Sequence, residues 1–164
     1  MSIPQVTVRR HSRGTHLAAS LVKENTMRYM LIMRDTQEAV EASQKVDFEE
    51  IINAMGAYNE SLTKAGVLAG VEGLAPAAEG FVVDFAGEKP IVTDGPYGET
   101  HELFNGFWIL EVSSKEEAVE WASRAPLGPG SKLEVRRIPG QEAFADFADN
   151  EYVKKAAELR PDGR

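Results

Sequence analysis

Val92-Thr93-Asp94-Gly95-Pro96-Tyr97-Gly98-Glu99-Thr100-His101-Glu102 leads within a few residues into Gly106-Phe107-Trp108-Ile109-Leu110-Glu111. Regular structure stops at Asp-Gly-Pro, because glycine accepts positive φ and proline fixes its own φ while removing a backbone donor. It resumes as a strand dense in bulky side chains. The turn also gathers ionisable groups (Asp94, Glu99, His101, Glu102) against a stiff backbone, as the rim of a binding site would. Asp94 has a plainer role open to it, accepting hydrogen bonds from turn amides, and that role takes precedence.

Upstream of the turn, Phe81–Phe85 and Pro90–Thr93 flank Ala86-Gly87-Glu88-Lys89 and predict a β-hairpin, closed by the turn at Asp94-Gly95-Pro96. Before it, Asp47 and Glu50 open a helix in the manner of a capping box. Phe48, Ile51, Ile52, Met55, Tyr58, Leu62 and Ala65 give that helix one apolar face, and Gly66 ends it. Val67–Leu74 then reads as a glycine-interrupted strand. Tyr29–Met33 is the first strand, and Asp35–Val46 reads as a polar loop with at most a helical turn.

Downstream, Gly106–Val112 is a strand, and Ser113 and Ser114 offer overlapping caps for a second helix that carries Ala118, Trp121, Ala122 and Ala125 before Pro126. Leu133–Ile138 is the last strand. Strand, helix, strand, hairpin, strand, helix, strand is the order of an α+β sandwich of the ferredoxin-like type, with both helices on one sheet face. The other face needs a cover, which a second copy about a two-fold axis supplies economically. Residues 141–164 read as a helical tail carrying Phe144, Phe147 and Tyr152.

The chain has 164 residues, room for one well-built core, and no cysteine, so disulfides and thiolate chemistry are excluded. This usage fits a reducing cytoplasm, and no apolar run is long enough to span a membrane. Arg9, Arg10, Arg13 and Lys23 against Glu24 give residues 1–26 a net charge of +3, which leaves −11 on the remainder of a chain whose total is −8. So acidic a body repels nucleic acid. With no apolar signal core in residues 1–26, they are expected to be a disordered extension or an upstream-start artefact ahead of a domain spanning 27–140. The domain has one histidine and no phosphate-loop context, so no metal or cofactor is expected.

Met27-Arg28-Tyr29-Met30-Leu31, Ala65-Gly66-Val67-Leu68, Glu72-Gly73-Leu74, Thr93-Asp94-Gly95-Pro96-Tyr97-Gly98-Glu99-Thr100, Gly106-Phe107-Trp108-Ile109, Glu117–Ala122 and Glu134-Val135-Arg136 occur in that order. Together they resemble the YCII-related family, specifically the subgroup named for an Asp-Gly-Pro-Phe motif, with Tyr97 in place of phenylalanine. The resemblance implies a dimeric α/β-barrel fold. It also implies relatives that look like lyases or isomerases of small ring-derived acids, and others found beside alternative sigma factors. In relatives with proposed catalysis a His–Asp pair near the first helix does the acid–base work. This chain departs there: the histidine position falls near Met55, and 47–66 contains no histidine.

The candidate catalytic residues are Asp94 and His101, a histidine being suited to proton transfer near neutral pH. The candidate ligand-binding residues are Tyr58, Glu72, Tyr97, Phe107 and Arg136, the last able to hold a carboxylate bidentately. The plainer alternatives are a solvated loop for His101, an exposed strand position for Glu72, a surface ion pair for Arg136 and core or interface packing for the aromatics. The reading expected is a cytoplasmic homodimer that binds a small, partly apolar or acidic ligand, in an accessory setting with a sigma factor or other protein partner. A cofactor-independent lyase or isomerase is the alternative. No direct nucleic-acid or membrane contact is expected.

Overall fold

The computed structural model describes residues 26–95 and 102–158. Six strands and four α-helices follow in order: β1 (Met27–Thr36), α1 (Gln37–Ser43), α2 (Phe48–Lys64), β2 (Leu68–Gly73), β3 (Phe81–Asp84), β4 (Ile91–Asp94), β5 (Glu102–Val112), α3 (Lys115–Ala122), β6 (Ser131–Ile138) and α4 (Glu151–Glu158). The main sheet is antiparallel, in the order β2-β5-β1-β6. Each helix-linked strand is thus separated from its predecessor by one intervening strand, an arrangement consistent with a ferredoxin-like fold. β3 and β4 form a separate two-stranded sheet.

Alternation along the strands decides where the core lies. Tyr29 and Leu31 of β1 and Trp108, Leu110 and Val112 of β5 point to one face, where they meet Tyr58 and Leu62 of α2 and Ala118 of α3. Leu31, Leu62 and Leu110 are fully buried, so truncating any one to alanine costs about 2–5 kcal/mol. The Trp108 indole N–H donates to Asn59 Oδ1 at 2.8 Å, so its one polar group is satisfied inside.

The helix ends follow local chemistry. Asp47 caps α2 by accepting the Glu49 N–H at 2.9 Å. Gly66, at φ 71°, then turns the chain in the left-handed conformation that only glycine adopts without strain. At α3, the Ser114 hydroxyl accepts the Glu117 N–H at 3.1 Å, while the Glu117 carboxylate accepts from the Ser113 N–H and hydroxyl at 2.7 and 2.6 Å. Both serines therefore serve one cap.

Two segments differ from the expectation. Residues 35–46 are not mainly loop: β1 runs to Thr36, whose hydroxyl accepts the Ala39 N–H and starts α1. β5 begins at Glu102 rather than Gly106, because a bulge opposite Met33 and Arg34 breaks the alternation that marks a strand. The hairpin forms where the sequence places it, with its turn at residues 85–90, and Gly95 (φ 82°) ties off its open end, donating its N–H to the Gly80 carbonyl at 2.7 Å. The tail consists of a 3₁₀ segment (Gln141–Phe147) followed by α4. A groove of about 380 Å³ lies between the two, lined by Phe144, Ala148, Tyr152 and Val153 among others.

Candidate functional site

Residues paired in register share a face of the sheet, and this divides the candidates. Met30 pairs with Ile109 and Arg136, and Ile32 with Phe107 and Glu134. Glu72 of β2 pairs with Phe107 from the other side. All of these alternate with the buried core residues, so they lie on the face turned away from α2 and α3. Met30, Ile32, Phe107 and Ile109 are only half-buried, and they form an apolar strip with Glu72 exposed at one margin and Arg136 at the other.

The bulge extends the strip. Asn105 is the extra residue, so Phe104 swings onto the same face as Phe107, with ring centroids 6.2 Å apart at 45°. Asn105 donates its amide to Asp35 Oδ2 at 2.9 Å, while Asp35 Oδ1 is buried without a hydrogen-bond partner among the described residues. Gly106 follows, and the reason for glycine is steric. A Cβ there would lie 2.8 Å from the Glu72 carbonyl oxygen and 3.3 Å from both the Gly73 Cα and the Met33 Cε.

The end of the open face is held by charge. Arg34 reaches Glu102 at 3.1 Å and Glu134 at 2.8 Å, and Lys132 also contacts Glu102. Arg136 is different. Its side chain is 71% exposed and lies 3.9 Å from Glu134, which leaves the guanidinium fork open to a planar anion.

The remaining candidates lie elsewhere. Tyr58 is buried on the helix side, stacked edge-on against Trp108 at 5.5 Å, with its hydroxyl donating to the Trp121 carbonyl at 2.8 Å. Burial pushes its pKa up to about 12, against the opposing influence of Arg124. It is a structural tyrosine with its polar group already used. Asp94 is exposed at the end of β4, in register with Phe81 and on the smaller sheet. Tyr97 and His101 lie outside the described residues. The tail groove holds none of the candidates.

Glu72, Phe107 and Arg136 are therefore the predicted residues that the main sheet brings to one face. Met30, Ile32, Phe104 and Ile109 complete that face and were missed as site residues. The signal for Met30 and Ile32 was the unbroken apolar run Tyr29–Met33, which is too apolar for a strand with one wet face. Among the described residues no group of three or more His, Asp or Glu side chains could hold a metal ion, and no helix is long and apolar enough to cross a membrane.

An uncharacterized protein of Rhizobium meliloti (strain 1021) is 29% identical over 115 residues, covering 68% of this chain and 92% of that protein. The family model for the YCII-related domain matches residues 27–139, from the first residue of β1 to the residue after β6. The chain belongs to the YCII-related family.

Proposed function

We propose that this chain is a member of the Asp-Gly-Pro-Phe subgroup that binds a small, partly apolar, acidic ligand on the open sheet face. A second copy provides the cover, in a dimeric α/β barrel. The observation that carries this is the pairing of an apolar aromatic strip (Met30, Ile32, Phe104, Phe107, Ile109) with the exposed Arg136 beside it. A ring would lie on the strip, and its carboxylate would meet the guanidinium through paired hydrogen bonds.

The face is flat and half-exposed in a single chain, whereas ligand sites bury most of their ligand. Its four central apolar side chains also form one contiguous strip that stays partly open to water. Both considerations support a covering copy. The competing reading is a cofactor-independent lyase or isomerase in which Asp94 or His101 moves a proton and Arg136 holds the acidic group of the substrate. It requires an enclosed pocket shared by these groups, yet Asp94 and Arg136 lie exposed on different sheets. The geometry favours binding over catalysis.

An accessory role beside a sigma factor is the setting this reading adopts. Phe144, Phe147 and Tyr152 on the tail are the apolar surface such a partner would meet.

The test of ligand binding uses 4-hydroxybenzoate and its neutral amide as probes, followed by NMR shifts of the Phe107 and Ile109 amides. The carboxylate is expected to shift them, the amide to bind at least tenfold more weakly, and Arg136→Gln to remove the difference. Equal binding of acid and amide, or no binding by either, would refute the assignment.

A further inference from the structure

The β3–β4 hairpin has no use in the reading above, and it is the most apolar exposed element of the described chain. Phe81, Phe85, Ile91 and Val92 are each more than 60% exposed. By alternation Phe81, Val83 and Val92 occupy one face of the ribbon and Val82 and Ile91 the other, so both faces are apolar. A two-stranded ribbon is marginal in water by itself, and both of its strands are unprotected edges. The described residues leave Phe81 and Val92 on one side and Ile91 on the other open to water.

Charge identifies the missing surface. Glu79, Asp84, Glu88 and Asp94 make the hairpin region acidic, with Lys89 as its one cation. The open face of the main sheet is split. Its β1/β6 half carries Arg28, Arg34, Lys132 and Arg136 against Glu134. Its β2/β5 half carries Glu72, Glu102 and Glu111, and neither of those strands contains a lysine or arginine.

A face divided in this way complements itself when two copies meet about a two-fold axis parallel to the strands. The basic half of each then covers the acidic half of the other, with the apolar strips in contact between them. The hairpin leaves the sheet from the β2/β5 side, just past Leu74, whose N–H bonds the Asn105 carbonyl. In the paired arrangement that side abuts β6 of the second copy, the basic edge.

We infer that the hairpin is an exchanged arm: the β3–β4 ribbon of each copy docks along the β6 edge of a second copy, acidic side chains against Lys132, which leaves Arg136 to the ligand. This rests on the paired-sheet reading above and adds the element that locks it. It also explains why the hairpin tolerates apolar side chains on both faces.

The test is a charge-swap rescue on the full chain, read by sedimentation velocity, with circular dichroism to confirm folding. Reversing the arm (E88K/D94K) or the edge (K132E) is expected to weaken self-association about tenfold in each case. Mixing the two variants restores association, because both arm–edge contacts in the mixed dimer again join opposite charges. A dimeric wild type whose variants associate normally, or whose mixture shows no rescue, overturns the arm and leaves the paired sheets standing. A monomeric wild type overturns both.

Discussion

Gly106→Ala tests the main sheet where it is tightest. The added methyl carbon would stand 2.8 Å from the Glu72 carbonyl oxygen and 3.3 Å from the Gly73 Cα, both backbone atoms of the neighbouring strand. The third neighbour, the Met33 methyl at 3.3 Å, belongs to a flexible side chain and yields cheaply. Relief therefore requires β2 to move away from β5, which stretches the ladder that includes the Glu72–Phe107 pair. Overpacking of this kind costs about 1–3 kcal/mol. Because the rigid contact is backbone, we expect the upper half of that range, about 2–3 kcal/mol, offset by a few tenths from the lower entropy of the unfolded alanine chain. At about 2–4 °C per kcal/mol for a chain of this size, Tm falls by about 4–12 °C. Gly70→Ala on β2, the neighbouring edge strand, is the control: its Cβ would meet only Ile109 side-chain atoms at 3.6–3.8 Å, ordinary van der Waals contact, and Tm should move by about 3 °C or less. Thermal unfolding followed by circular dichroism gives both numbers. A Gly106→Ala Tm equal to or above that of Gly70→Ala would refute the close approach of β2 and β5.

Other consequences concern titration and packing. Tyr58 has its pKa raised from 10.0 to about 12 by burial, so the folded state holds the neutral phenol. Its contribution is fully present below pH 10 and is lost as pH rises from 10 toward 12. Denaturant midpoints should fall across that window, and Tyr58→Phe should flatten the slope while costing about 1 kcal/mol at pH 7 for the lost bond to Trp121. The hydrogen bonds from Ser113 hold the Glu117 carboxyl below its ordinary value of 4.5. Its contribution is present above pH 4.5 and lost as pH falls through the lowered value. Stability curves of wild type and Glu117→Gln should therefore separate at neutral pH and converge in acid. Gly56 lies inside α2 with nothing within 4 Å of an added Cβ, so Gly56→Ala should raise stability by about 0.5–1 kcal/mol in equilibrium unfolding.

The sequence carried the elements whose signals are local. Asp47, the apolar spacing from Phe48 to Leu62 and the stop at Gly66 define α2 without help from the rest of the chain. The Asp-Gly-Pro stop likewise separates the hairpin from β5. Three things depended on partners distant in sequence. α1 has one buried residue, Ala39, and so no apolar stripe to reveal it. The first turns of β5 were hidden because the Asn105 bulge puts Phe104 and Phe107 on one face at a spacing of three. The site was hidden for a related reason: Tyr58 and Phe107 look equally suited to a pocket as residues, and only the register of β5 against β1 and α2 puts them on opposite sides of the sheet. Arg136 was legible as a candidate for anion binding, but its apolar neighbours were not, because alternation alone cannot say which face of β1 meets the helices.

The central claim is that the open sheet face is incomplete in one chain. Sedimentation equilibrium of the full chain, from micromolar concentrations upward, tests it most directly. The account predicts twice the 18.0 kDa chain mass, falling toward the single-chain value when Ile32→Asp and Phe107→Asp place charges in the middle of the strip. A single-chain mass for the unaltered protein throughout that range would contradict it.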